Sequence, residues 1–259
     1  SQRLEVTGSG DEFDRLAESL NAMLDRMEHL MLGLKEVSDN IAHDLKTPLT
    51  RLRTRVEATL AGPADAEAYR AAMEATIDES DQLIRTFNAL LMIARIEAGS
   101  PDGAMGALDL APIVADVAEF YEPVAEEAEV FLALSLDDPL PLHGNRELLI
   151  QALGNLVDNA IKYVRSGANP PAQPRVTITA RREAAEIVVS VADNGPGIGA
   201  GDRERVLQRF VRLEKSRTMP GSGLGLSLVD AVTRLHHGAI SLGDADPGLV
   251  VTLRFPIAA

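Results

Sequence analysis

The chain of 259 residues has no cysteine, which excludes disulfides and thiolate metal sites and permits a reducing compartment without proving one. It has no tryptophan and only 3% aromatic residues against 46% hydrophobic residues. Its interior therefore has to be built largely from Leu, Val, Ile and Ala. Basic residues are in deficit, 25 Lys and Arg facing 39 Asp and Glu for a formal net charge of −14. That sign argues against nucleic acid as a main partner, because phosphate backbones attract Lys/Arg-rich faces. No apolar run approaches the roughly 20 residues needed to cross a bilayer. The first residue is Ser1 and a helix-start signal follows soon after. The chain thus reads as a piece of a longer one, with any membrane segment expected upstream of Ser1.

What is present is strongly patterned. Gly8-Ser9-Gly10-Asp11-Glu12 reads as a loop followed by acidic residues suited to the positive end of a helix dipole. From there the apolar positions keep a heptad, with Phe13, Leu20, Met27, Leu34 and Ile41 in one series and Leu16, Met23, Leu30 and Val37 in the other. Such a seam needs a partner helix; the alternative is one amphipathic helix lying on a globular body. At His43 the spacing changes, because Ile41, Leu45 and Leu49 step by four and four. The stripe resumes at Leu52, Val56 and Leu60 until the turn-forming Ala61-Gly62-Pro63-Ala64-Asp65. A second helix carries Met73, Ile77, Ile84, Phe87 and Leu91 to Gly99-Ser100-Pro101-Asp102-Gly103, where Gly and Pro stop it. Two antiparallel helices of this kind, paired in a dimer, make a four-helix bundle.

Past a linker at residues 98–107 the texture alters. Residues 112–128, 145–165 and 224–236 read as helices and 130–136 as a short strand. Arg175–Ala180 and Ile187–Val191 alternate as two paired strands, and 249–255 as a closing strand. This predicts an α+β layer of helices on a largely antiparallel sheet.

Four segments carry chemistry. In the first, His43 is followed by Asp44, Thr47 and Pro48. Thr47 shares a helical face with His43, and Pro48 removes a helical hydrogen bond beside the imidazole. Asp44 is placed to accept from Nδ1 and leave Nε2 as a nucleophile, although neighbours in sequence do not normally face each other on a helix. In the second, Asn155, Asn159 and Lys162 share a helical face with Tyr163 beside them. Asn159 offers an amide oxygen to a hard cation such as Mg²⁺, Lys162 a charge for phosphate and Tyr163 a surface for a base; the bland alternative is an ordinary polar helix face. In the third, Asp193-Asn194-Gly195-Pro196-Gly197 directly follows a strand. Asp193 suits an exocyclic amine and the glycines suit close backbone approach, while a plain tight turn would use the same residues. In the fourth, Gly221, Gly223 and Gly225 open a helix, where backbone N–H groups and the dipole favour phosphate. Neither a Rossmann nor a Walker context surrounds them. Between the last two segments Arg209-Phe210-Val211-Arg212 reads as the start of a flap, with Arg212 either a phosphate contact or a solvent-exposed arginine.

In their order and settings these segments resemble the signalling part of a bacterial two-component sensor histidine kinase. His43–Pro48 is similar to the family's phospho-acceptor box, Asn155–Tyr163 to its N box and Asp193–Gly197 to its first glycine box. Arg209–Arg212 resembles its F box, Gly221–Leu226 its second glycine box, and Gly10–Leu16 the last helix of a HAMP module. The resemblance covers nearly the whole chain. It implies the end of HAMP and a signalling helix at 1–32, a dimerisation and histidine-phosphotransfer domain at 33–100, and a Bergerat-type ATP-binding domain of α/β-sandwich form at 107–259. It implies His43 as the phosphorylated nucleophile, Asp44 as its assisting acid, and Thr47 as the residue that aligns water in dephosphorylating the partner. It places Mg²⁺ on Asn159, phosphates near Asn155 and Lys162, and adenine near Tyr163 and Asp193. Asn145 stands where the family often has Asp, a change expected to matter little, and Glu214–Pro220 reads as a short lid.

The implied activity is autophosphorylation of His43 from ATP, then transfer to an aspartate in the receiver domain of a response regulator. The implied setting is a homodimer joined through the helical bundle, in the cytoplasmic portion of an inner-membrane sensor. Two rivals use the same pocket. One is an ATPase that drives a clamp without phosphohistidine; the other is a non-catalytic dimeric scaffold that merely binds nucleotide.

Overall fold

The computed structural model describes residues 20–21, 49–50, 52–61, 66–97, 104–166, 170–213 and 221–257, and the chain divides into two units, Ser1–Ser100 and Pro101–Ala259. In the first unit residues 52–61 form helix α1 and Ala66–Glu97 form α2, 32 residues long. Arg55 of α1 reaches across to α2, its Nη1 lying 3.2 Å from Glu79 Oε2 and 3.4 Å from the carbonyl of Ala75. That is the pairing of an antiparallel hairpin, as the turn residues predicted. Along α2, Met73, Ile77, Ile84 and Phe87 are exposed, whereas Leu90, Ile93 and Ile96 are buried. Apart from Leu20, the heptad positions between Phe13 and Ile41 lie outside the described residues. Among the described residues no helix is long and apolar enough to cross a membrane.

The second unit is an α/β sandwich. Strands β2 (Phe131–Leu136), β4 (Arg175–Glu183), β5 (Glu186–Asp193), β6 (Ala239–Asp244) and β7 (Leu249–Pro256) form a five-stranded sheet of order β2-β4-β5-β7-β6. Only the β2–β4 pair is parallel, so the sheet is largely antiparallel as predicted. A separate two-stranded ribbon pairs β1 (Gly106–Asp109) with β3 (Pro141–Gly144). Helices α3 (Leu110–Glu127), α4 (Arg146–Tyr163) and α5 (Gly225–Leu235) supply the helical layer.

The alternation of the strands sets the core. Val176, Ile178 and Ala180 of β4, Ile187, Val189 and Val191 of β5, and Val251, Leu253 and Phe255 of β7 are all buried, as a period of two requires when one sheet face meets helices. The matching stripes are Ile113, Val114 and Val117 on α3, Leu149, Leu153, Leu156 and Val157 on α4, and Leu228, Val229 and Val232 on α5. Each Val, Leu, Ile or Phe among them contributes about 1.5–3 kcal/mol on full burial, which is how a core this poor in aromatics holds together.

The helix starts are capped by short polar side chains. Asp109 Oδ1 accepts from the N–H of Ala111 at 3.0 Å and from that of Leu140 at 2.9 Å, tying α3 to the segment that leads into β3. Asn145 Oδ1 accepts from the N–H of Leu148 at 3.1 Å and caps α4. Asn145 is buried, so the Asn-for-Asp change noted in the sequence is accommodated as a neutral cap.

Candidate functional site

The site grows from three places where glycines let segments of the chain approach closely. The first joins α4 to the start of α5. A Cβ on Gly225 would lie 3.1 Å from Asn159 Nδ2 and 3.5 Å from Asn155 Oδ1, so the first turn of α5 rests directly on the amide face of α4. Asn155 Nδ2 also donates to the carbonyl of Gln151 at 2.9 Å. Tyr163 is half-buried, its hydroxyl 3.5 Å from where a Cβ of Gly221 would be. Lys162 is exposed and forms an ion pair with Asp158 one turn earlier. Asn155, Asn159 and Tyr163 are therefore brought against the glycine segment, while the ammonium of Lys162 is turned to its helical neighbour.

The second place is the glycine turn itself. Gly223 holds φ +73°, and a Cβ there would lie 2.9 Å from the carbonyl carbon of Phe210. Phe210, also at positive φ, donates its N–H to the carbonyl of Gly223 at 3.0 Å. Arg212 Nη1 donates to the carbonyl of Gly221 at 2.7 Å. Arg212 is half-buried, and this bond joins two described residues on either side of 214–220, which lie outside the described residues. Helix α5 opens at Leu224 without a side-chain cap. Its first-turn amides are thus offered to another acceptor, and a phosphate at the positive end of the dipole is such an acceptor.

The third place surrounds Asp193, at the end of β5. Its carboxylate is buried and its Oδ1 accepts from the N–H of Gly195 at 2.8 Å and from that of Leu249 at 3.4 Å. Burial pushes the carboxyl above the usual Asp range, and the two backbone hydrogen bonds oppose that rise. A Cβ on Gly195 would lie 2.8 Å from Val164 Cα, so this loop packs on the end of α4. Gly248, in the β6–β7 turn, is a residue the sequence reading missed. At φ +116° its Cβ would stand 1.7 Å from the carbonyl oxygen of Asp193; only glycine lets that turn lie behind the carboxylate. Gly197 meets the same turn, where a Cβ would be 2.8 Å from the carbonyl of Gly248. Asn194 Oδ1 accepts from the N–H of Arg175 at 2.8 Å and its Nδ2 donates to the carbonyl of Gln173 at 2.9 Å. Arg203 Nε donates to the carbonyl of Ile198 at 3.1 Å, and its guanidinium pairs with Asp244. Gly248, Asn194 and Arg203 are support rather than contact residues; Asn194 lies in the segment after β5 noted in the sequence, and the Asp-Pro-Gly turn at 246–248 hinted at Gly248.

Among the described residues no group of three or more His, Cys, Asp or Glu could hold a metal ion. The amide oxygens of Asn155 and Asn159 are nonetheless hard, neutral donors, the kind that suits Mg²⁺ when phosphates and water complete its shell. His43, Asp44 and Thr47 lie outside the described residues.

Comparison with known proteins matches all parts of the chain. Residues 144–259 match the family described as histidine kinase-, DNA gyrase B- and HSP90-like ATPase, residues 33–99 the His Kinase A (phospho-acceptor) domain, and residues 1–29 the HAMP domain. The sensor protein IrlS of Burkholderia pseudomallei is 33% identical over 263 residues, covering 100% of this chain and 55% of IrlS. The sensor-like histidine kinase SenX3 of Mycobacterium tuberculosis is 34% identical over 220 residues, covering 84% of this chain and 52% of SenX3. The chain thus spans a little over half the length of these relatives. Among solved structures, the histidine kinase ThkA in complex with the response regulator TrrA superposes with a TM-score of 0.70 at 20% identity, covering 90% of this chain and 64% of ThkA. At that identity the likeness speaks to the fold. With an ATPase family, a phospho-acceptor family and HAMP matched in order, and with sensor kinases as relatives, the chain belongs to the bacterial two-component sensor histidine kinases.

Proposed function

We propose that this chain moves the γ-phosphoryl group of ATP to His43 and then to an aspartate of a response-regulator receiver domain. One observation carries the pocket: the amide face of α4 meets the uncapped glycine start of α5, with the buried Asp193 carboxylate beyond the other end of that face. The phospho-acceptor match over 33–99 supports His43 as the acceptor.

Phosphoryl transfer asks mainly for positioning and charge neutralisation, and the roles divide accordingly. Asp193 accepts from the adenine amine, and Tyr163 lies along the base. Gly195 and Gly197 let the loop beside the adenine pack closely on the end of α4 and on the Gly248 turn, while the amides of the Gly221–Gly223–Gly225 turn receive phosphate oxygens. Asn155 and Lys162 serve the phosphates, Lys162 by leaving Asp158, and Arg212 holds the turn in shape through the Gly221 carbonyl. Asn159 would hold Mg²⁺, which when bound neutralises charge on the phosphate oxygens. The unprotonated imidazole nitrogen of His43 forms the bond to γ-phosphorus as the bond to the β–γ bridging oxygen breaks and ADP leaves. Asp44 takes the proton from the other ring nitrogen. In the second step an aspartate oxygen of the receiver attacks the same phosphorus and His43 leaves as neutral imidazole, with that proton returned.

Two partners complete the reading. The stripe of Met73 (69% exposed), Ile77, Ile84 and Phe87 on α2 fits burial against a second copy, as a four-helix bundle requires. The ThkA complex with a response regulator supports a receiver domain as the other. Dephosphorylation of that receiver, with Thr47 aligning water, is the finer part of the proposal. So is the setting, a cytoplasmic segment tied to an inner membrane by upstream residues, for which the HAMP match and the sensor relatives are the support. Domain limits of 1–32, 33–100 and 107–259 belong to the same proposal.

The test is a relay. Chain labelled from γ-labelled ATP and freed of nucleotide is mixed with a receiver domain. Label passing from chain to receiver aspartate supports the proposal. ATP turnover with no transferable label would favour the clamp ATPase, and binding without turnover the scaffold.

A further inference from the structure

Helices α4 and α5 are joined a second time, at the ends remote from the glycine turn. His236, directly after α5, is 1% exposed. Its Nε2 accepts the main-chain N–H of Asn145 at 2.9 Å, and its Nδ1 lies 2.8 Å from the carbonyl of Val232. Since Nε2 accepts, the proton sits on Nδ1 and is donated to Val232. Asn145 is the cap of α4, so a single neutral imidazole links the end of one helix to the start of the other. The ring is held on its remaining sides. A Cβ on Gly144 would lie 2.5 Å from Cδ2, and Phe255 meets the ring edge-on with centroids 6.2 Å apart. Asn145 and His236 are each 1% exposed, so losing the acceptor costs a buried hydrogen bond.

The two junctions act on one helix pair. Gly225 rests on Asn155 and Asn159 at one end, and His236 pins the other. We propose that His236 is a positioning residue for the phosphate half of the nucleotide: by tying the end of α5 to the cap of α4, it sets how the first turn of α5 faces the Asn155–Asn159 face. The adenine half depends on β5, the Gly248 turn and Tyr163 at the last residue of α4, whereas the bonds and close approaches of the His236 ring are to Asn145, Val232, Gly144 and Phe255. Burial, with His237 and His143 as the titratable groups facing the ring, holds the imidazole below its ordinary range. The neutral, accepting form is therefore the one present at pH 7.5.

This inference rests on the nucleotide reading above and makes a division within it. The whole chain is prepared as wild type, His236→Gln, which keeps an acceptor near the Nε2 position, and His236→Leu, which has none. Calorimetric titration with Mg-ADP and with adenosine is run at a temperature where circular dichroism shows each variant folded. The expected result is a loss of about fivefold or more in Mg-ADP affinity for His236→Leu. Recovery to within about twofold of wild type is expected for His236→Gln, with adenosine affinity level in all three. Equal loss for both ligands would reduce His236 to a general stabiliser, and unchanged Mg-ADP affinity in folded His236→Leu would overturn the role directly. If His236→Leu does not fold, nitrogen NMR of wild type decides: Nδ1–H with a slowly exchanging Asn145 amide supports the link, and the opposite tautomer overturns it. A wild type that binds neither ligand would bring down the nucleotide reading itself, and this role with it.

Discussion

Replacing Gly248 by alanine attacks the adenine end of the site from behind. The new Cβ would stand 1.7 Å from the Asp193 carbonyl oxygen and 2.6 Å from its carbonyl carbon, and φ at this position is +116°. The β6–β7 turn and the end of β5 must part by more than an ångström, and neither is a flexible side chain. The backbone conformation alone costs an L-residue about 1–3 kcal/mol, and overpacking adds about 1–3 kcal/mol. The expected loss is thus about 2–6 kcal/mol, a large part of the 5–15 kcal/mol typical of a folded domain. In urea, with a slope of about 1–3 kcal/mol/M, the midpoint should fall by about 1 M or more. Because the displaced atoms belong to Asp193, adenosine binding should also weaken in protein that is still folded. Gly199→Ala is the control, since a Cβ there meets nothing within 4 Å. If Gly248→Ala unfolds and binds adenosine as Gly199→Ala does, the claim that this turn supports the carboxylate is wrong.

Other outcomes follow from the same geometry. The Asp193 carboxyl titrates above its ordinary range when folded, so its stabilising contribution is complete below the unfolded pKa and is lost as pH rises through the folded value. Asp193→Asn should therefore raise the urea midpoint over wild type at pH 7.5, lose that advantage toward about pH 4, and bind ATP more than about tenfold more weakly; an advantage constant with pH would contradict this. Asn145→Ala removes the α4 cap and should cost about 0.5–2 kcal/mol in urea unfolding, a change of a few tenths or less being the refuting result. Thr47→Ala should slow release of phosphate from a phosphorylated receiver while sparing autophosphorylation, whereas equal loss of both would point to a folding defect.

Much of this is legible in the sequence. Asn155, Asn159 and Tyr163 fall on one face of α4 because a helix returns every three to four residues, and β5 leads into Asp193 because its alternation ends there. The strands β1 and β3 were missed since each has four residues, with Gly or Pro at an end, too few for a period of two to register. Strand β6, Ala239–Asp244, has only two large apolar side chains and carries a glycine. Gly248 and Arg203 were hidden for a different reason. Their partners include atoms distant in sequence, the Asp193 carbonyl for Gly248 and the Asp244 carboxylate for Arg203, and an Asp-Pro-Gly turn looks the same whether or not another loop lies behind it. Lys162 shows the limit of spacing arguments: the helix that presents it toward phosphate also offers it Asp158 four residues earlier.

The most direct measurement is the position of a single phosphate. The chain is incubated with magnesium and ATP labelled at the γ position, digested under alkaline conditions, and the labelled peptide is sequenced by mass spectrometry. If the pocket on α4 and α5 serves the imidazole, the label is acid-labile, base-stable, located on His43, and lost in both His43→Gln and Asn159→Ala. A label on any other residue, or none in protein that binds ATP, would contradict it.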